Sequence, residues 1–217
     1  MRSVTDKPVS ATDPIVYVVD DDPGVQASLS ALVRSVGLGV KVFESVEEFL
    51  AFRRPDAPGC LVIDVRLKKG ESGLVAHDRI ASFTGLPIIF MSAYADVAMC
   101  VRAMKGGALD FIEKPFLGQR MLDSIAAAVV ADGKRRELAR SMEALRRCFE
   151  NLTSRERDVM SLVAKGLLNK QIAAEMNLSE MTIKIHRMRA MRKMEARSFA
   201  DFVLKAAAIL GPAEVAG

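Results

Sequence analysis

The run Val16-Tyr17-Val18-Val19-Asp20-Asp21-Asp22, VYVVDDD, decides the fold. Four apolar or aromatic residues predict a buried strand, and three carboxylates follow it without a break. Neighbouring like charges repel, so a strand ending this way predicts a cation held among the acids. Near-continuous apolar strands belong to parallel sheets covered on both faces.

Companion strands lie downstream. With Ile15–Asp20 as the first, Gly39–Phe43, Cys60–Asp64, Leu86–Met91 and Leu109–Ile112 read as four more. Segments of helical spacing separate them, for example Val25, Leu29, Leu32, Val33 and Val36. This alternation predicts an α/β fold, a flavodoxin-like doubly wound five-stranded parallel sheet in the order 2-1-3-4-5. In such sheets the site lies at the carboxyl ends of the strands. Those ends supply Asp20, Asp21 and Asp22, then Asp64, then Ser92, then Asp110-Phe111-Ile112-Glu113-Lys114-Pro115. An acid at one strand end is often only a turn residue or helix cap. The whole set, at the ends of the appropriate strands, predicts one pocket of three carboxylates, a hydroxyl and an ammonium. Oxygen ligands suit Mg²⁺. One carboxylate there is placed to accept a phosphoryl group, with Lys114 and Mg²⁺ neutralising its oxygens and Ser92 donating a hydrogen bond.

The charge is uneven along the chain. Residues 1–130 hold 14 Lys+Arg against 16 Asp+Glu, net −2, and residues 131–217 hold 17 against 11, net +6. An acidic front and a basic back predict two domains with different partners, the second of them nucleic acid. No apolar run reaches the roughly 18–20 residues that span a bilayer. The polar residues 1–13 lack a signal-peptide core and read as a disordered tail. A cytoplasmic protein with no membrane partner is expected. Cys60, Cys100 and Cys148 stand apart, without metal spacing, and read as reduced thiols.

After residues 14–130, residues 131–151 read as a helical linker. Leu138, Met142, Leu145, Phe149 and Leu152 form a short heptad seam there, for folding against a neighbouring domain or for pairing with a second copy. Residues 152–217 read as an all-α four-helix domain. Thr153-Ser154-Arg155-Glu156 is a capping box. Helices are expected to end at Gly166, to span Asn169–Met176, to run from about Glu180 to Met194 behind a Ser179 cap, and to span Ser198–Leu210. Asn177 suits the left-handed turn between the second and third, which makes a helix-turn-helix. Residues 182–193 contain five Lys or Arg and no acid. Ile183, His186, Ala190, Met191 and Met194 share one face of that helix. Lys184, Ile185, Met188, Arg189 and Arg192 share the other, which suits the major groove. Lys184, Ile185 and Met188 are assigned to base edges, and Asn169, Lys170, Thr182, Arg187 and Arg189 to phosphates. His77 and His186 have no catalytic or metal pattern; His186 is either packed or near a phosphate.

Residues 14–130 resemble the receiver domain of bacterial response regulators, through Asp20-Asp21, Asp64 in LVIDVRL, Ser92 in IIFMSA and Lys114 in DFIEKPF. The resemblance implies that Asp64 is phosphorylated by a sensor histidine kinase. It further implies Mg²⁺ on Asp20, Asp21, Asp64 and the backbone carbonyl of Arg66, with Ser92 and Phe111 moving as switch residues beside Lys114. The sequence departs from the family after Leu67, where Lys68-Lys69-Gly70-Glu71-Ser72-Gly73 lacks the usual proline and is one residue longer. Residues 152–210 resemble the LuxR-type helix-turn-helix domain, through LTSRERDVMSLVAKGLLNKQIAAEMNLSEMTIKIHRMRAMRKM and the ARSFADFVLKAA that follows. In that family the last helix mediates dimerisation, giving Phe202 and Leu210 either an interface or a core role.

Together the halves resemble a NarL/FixJ-type response regulator. That implies phosphorylation-dependent dimerisation, sequence-specific DNA binding, contact with RNA polymerase and regulation of transcription rather than enzymatic turnover. Two alternatives are a Mg²⁺ phosphohydrolase and a receiver acting as an interaction module without phosphate, the latter suggested by the Lys68-Lys69 loop.

Overall fold

The computed structural model describes residues 13–67, 73–94 and 96–211. The chain divides into two compact units between Arg136 and Glu137.

In the first unit β1 (Ile15–Val19), β2 (Gly39–Phe43), β3 (Gly59–Asp64), β4 (Ile88–Ser92) and β5 (Asp110–Glu113) make one parallel sheet. Its order is β2-β1-β3-β4-β5, as the sequence predicts. The strand ends agree with the expected ones to within two residues. Leu86 stays outside β4 because the ladder begins after Pro87, which has no N–H to donate. Asp20 lies one residue past β1.

Alternate strand residues face opposite layers. Tyr17, Val19, Leu61, Ile63, Ile88 and Phe90 pack with Phe49 of α2 (Val46–Ala51), Ile80 of α3 (His77–Thr84) and Ala103 of α4 (Val97–Lys105). Val16, Val18, Cys60, Val62, Ile89 and Met91 pack with Leu29 and Val33 of α1 (Pro23–Ser35) and with Met121 and Ile125 of α5 (Gly118–Glu150). β3 is central and buried at every residue, which explains its unbroken apolar reading. Each large side chain buried in these layers contributes about 1.5–3 kcal/mol.

α5 is one helix through the segment expected to be a linker. At Asp132 it meets the sheet. The carboxylate is fully buried and accepts from the Gly59 amide at 3.0 Å, from Arg136 Nε at 2.7 Å and from Arg135 Nη2 at 2.7 Å. Arg136 also reaches Asp56. A buried charge persists only when answered in this way. Cys60 lies nearby, its thiol pushed up to about 12 by burial and then by the Asp132 charge, which leaves it inert.

The second unit contains the end of α5, then α6 (Ser154–Ala164), α7 (Asn169–Met176), α8 (Glu180–Lys193) and α9 (Phe199–Leu210). The capping box at its start is complete: the Thr153 amide donates to Glu156 Oε2 at 2.9 Å, and the Glu156 amide donates to Thr153 Oγ1 at 3.3 Å. Lys193 Nζ joins Glu156 at 2.6 Å and ties α8 to α6. Burial pushes the Glu156 carboxyl up, yet the bonds from Lys193 and Thr153 outweigh it and hold it below its ordinary value. Asn177 takes the left-handed conformation, φ 53°, as expected. Phe202 is fully buried with Val159, Ile172, Ile183 and Met194, so its role is in the core. Of the heptad seam, Leu145, Phe149 and Leu152 pack into this same core, whereas Leu138 is 68% exposed.

Candidate functional site

Two sites emerge, one in each unit. The first forms where β1 and β3 end side by side. Lys114, just past β5, extends its ammonium between Asp20 and Asp64, with Nζ 2.7 Å from one oxygen of each. The other oxygen of Asp20 accepts from the Asp22 amide at 2.9 Å, and that of Asp64 accepts from the Arg66 amide at 2.9 Å. Burial raises the Asp20 carboxyl above its ordinary value, opposed by the hydrogen bond from Lys114. Burial alone would lower the Lys114 ammonium, but its bonds to Asp20 and Asp64 prevail and raise it. The pocket therefore holds positive charge between two carboxylates separated from Lys114 by 94 and 50 residues of chain.

The remaining expected residues differ in their placement. Ser92 is fully buried, and its hydroxyl is held by its own loop: Oγ donates to the Tyr94 carbonyl at 3.1 Å and accepts from the Tyr94 amide at 3.3 Å. Phe111 is half-buried, its ring 6.4 Å from that of Phe90. The Arg66 guanidinium lies over the Tyr94 ring at 5.1 Å. The three acids that open the chain's first loop take separate parts. Asp22 caps α1, accepting from the Gly24 amide at 2.8 Å; the following Pro23, at the first helical position, is the sequence signal for that role. Asp20 joins Asp64 through Lys114. Asp21 is half-buried, and among the described residues no three His, Cys, Asp or Glu side chains gather as a metal-holding set. Of the three expected carboxylates, Asp20 and Asp64 share the Lys114 ammonium. The carboxylate oxygens of Asp20 and Asp64, around a place that already holds a cationic group, fit a hard divalent ion. The Lys68-Lys69-Gly70-Glu71-Ser72 segment lies outside the described residues, as does most of the N-terminal tail.

His77, without assignment in the sequence, is buried with its ring 5.4 Å from Phe90. It also abuts Gly106, where a Cβ would fall 2.5 Å from His77 Nδ1.

The second site is the outer face of α8. Ser179 caps the helix, accepting from the Thr182 amide at 3.1 Å. Ile183, Ala190 and Met194 are buried, while Lys184, Ile185, Met188, Arg189 and Arg192 are exposed. Lys170 is exposed on α7 and Thr182 half-buried beside its cap. Arg187 and Asn169, both expected at phosphates, meet each other: Arg187 Nη1 donates to Asn169 Oδ1 at 2.9 Å. The same guanidinium lies over the Phe199 ring at 5.2 Å, so Arg187 links α7, α8 and α9. His186 is packed, its Nδ1 buried without a hydrogen-bond partner. Met181, in the first turn of α8, is a further large exposed apolar side chain that the sequence did not single out.

Both units match known protein families. Residues 16–126 match the response regulator receiver domain, and residues 150–206 match the luxR family of bacterial regulatory proteins. Nodulation protein W of Bradyrhizobium diazoefficiens is 50% identical over 195 residues, 89% of this chain and 86% of that protein. Transcriptional regulatory protein FixJ of the same organism is 37% identical over 193 residues, 87% of this chain and 92% of that one. The solved structure of response regulator StyR is 41% identical, with a TM-score of 0.78 over 89% of this chain and 98% of that chain. No described helix is long and apolar enough to cross a membrane.

Proposed function

The chain belongs to the response regulators that join a receiver domain to a luxR-family DNA-binding domain, and from that premise we propose that phosphorylation of Asp64 by a histidine kinase controls its regulation of transcription. The observation supporting this reading is the Lys114 ammonium shared at 2.7 Å by Asp20 and Asp64. An acceptor carboxylate held beside a fixed cation is prepared for an incoming anionic group.

In the transfer, an Asp64 oxygen attacks the phosphorus of the kinase's phosphohistidine. The P–O bond forms as the P–N bond breaks, and the imidazole leaves. Asp20, Asp21, Asp64 and the Arg66 carbonyl would hold Mg²⁺, which supplies further neutralisation of the phosphoryl oxygens when bound. Lys114 exchanges its bond to Asp64 for one to a phosphoryl oxygen. Ser92 releases Tyr94 and turns its hydroxyl to the new charge, and Phe111 moves inward against Phe90. The α4–β5 face changes with them. Moving such an equilibrium from 1:99 to 99:1 takes about 5.5 kcal/mol of differential stabilisation. The responding form pairs with a second copy in the cytoplasm and engages RNA polymerase at its DNA site. There Lys184, Ile185 and Met188 meet base edges, while Lys170, Thr182, Arg189, Asn169 and Arg187 lie along phosphates.

Acetyl phosphate and Mg²⁺ followed by intact-mass measurement test this. One base-labile phosphate is expected on wild type and none on Asp64→Asn. A wild-type protein that stays unmodified, or a variant labelled equally, would sink the proposal and favour an interaction module that works without phosphate.

A further inference from the structure

The outer face of α8 has a feature that phosphate binding alone does not require. Met181 is 66% exposed, Ile185 38% and Met188 64%. Their spacing of four and three places them within about 60° of one another around the helix. They extend along about 10 Å of its length, about three base-pair steps. Exposed Lys184, Arg189 and Arg192 flank this stripe. Cations serve phosphates, but a thioether or a branched alkyl group adds nothing there. Met191 of the same helix, and Met194 at its C-cap, pack into the core, so exposure is particular to the stripe. A ligand that is polyanionic and also presents apolar spots within a groove matches duplex DNA. The apolar group on its major-groove base edges is the 5-methyl of thymine.

We infer that Met181 is a third base-reading side chain, packing on a methyl-bearing pyrimidine next to the positions met by Ile185 and Met188. Met181 stands in the first turn of the helix, the part that recognition helices present to base edges. That turn is fixed by Ser179, whose Oγ lies 2.8 Å from Thr182 Oγ1 and accepts from the Thr182 amide. The inference rests on the DNA-binding reading and adds to it the chemistry of the preferred base.

The test uses the full chain with acetyl phosphate and Mg²⁺, and a pool of random-sequence duplexes. The most enriched duplex is remade with each thymine replaced singly by uracil, which deletes only the methyl. At one position the replacement is expected to weaken wild-type binding about fourfold, the worth of one buried methyl. It should leave Met181→Ser binding unchanged, and Met181→Leu should restore the loss. Ile185→Ala should keep the loss at that position. If no uracil weakens wild type, or every loss persists in Met181→Ser, the inference is overturned while an enriched sequence still supports DNA recognition. If no sequence is enriched over the random pool, the DNA reading itself falls, and the inference with it.

Discussion

At the ends of β1 and β3, the Lys114 side chain is 15% exposed and touches two carboxylates. On α8, Lys184, Arg189 and Arg192 stand in solvent. The buried cation is answered by the protein itself, through residues far apart in the chain. The exposed cations come from one short run and are to be answered by something outside. In the first region, removing a single group leaves charges stranded in a poorly solvated place. In the second, water covers the loss, and the damage is confined to binding and depends on salt.

The sharpest break of this contrast is Lys114→Met. Leaving Asp20 and Asp64 without their cation is expected to cost about 3 kcal/mol in urea unfolding of the first unit. A loss under about 1 kcal/mol would mean that water, not Lys114, relieves the acids. The pH dependence follows from the direction of the shift. The Lys114 ammonium is raised above 10.5, so its contribution is full below that value and disappears as pH rises through the folded one.

Next is Glu156→Ala, which removes a buried cap and the Lys193 pair together, for about 2 kcal/mol at neutral pH. Here the sign is opposite. Glu156 is lowered from 4.5, so its contribution is present above that pH and is lost as pH falls through the folded value. The gap between wild type and variant in urea midpoint should therefore close on acidification. A gap that widens in acid would reverse the assignment.

Smaller still, Lys184→Ala should leave the fold intact and reduce discrimination between the selected duplex and its mismatched versions by about 1.5 kcal/mol. Smallest is Arg189→Ala, which should weaken all duplexes alike and lower the salt slope by about one. Arg187→Ala separates the two kinds of cation on one helix. Because Arg187 bonds Asn169 and covers Phe199, its loss should lower Tm as well as affinity, unlike that of Arg189.

What could be read from the residues follows the same division. Apolar runs revealed the strands, because a strand buried on both faces has no polar alternation to blur it. Strand order alone then implies that Asp20, Asp64 and Lys114 meet. The caps at Thr153, Ser179 and Asn177 were legible because each is a local arrangement of a few residues. Long-range pairing hidden among ordinary charges was not. Asp132 sits before Lys134-Arg135-Arg136-Glu137, a run that reads as solvated, yet it is fully buried. The bond from Arg187 to Asn169 was equally hidden, because nothing in a basic run announces a partner 18 positions earlier. The continuity of α5 was obscured by its changing face: its first part covers a sheet and its last part joins a helical core.

The Asp132 carboxylate bears on where a blade can be placed. A fragment ended at residue 130, where the sheet-forming pattern stops, would lose the acceptor for the Gly59 amide and expose an edge of the central strand's beginning to competition from water. Asp56 would lose the guanidinium of Arg136 in the same cut. A fragment ended after Arg136 keeps the fastening whole, so the isolated N-terminal half is best excised six residues later than its hydrophobic pattern suggests.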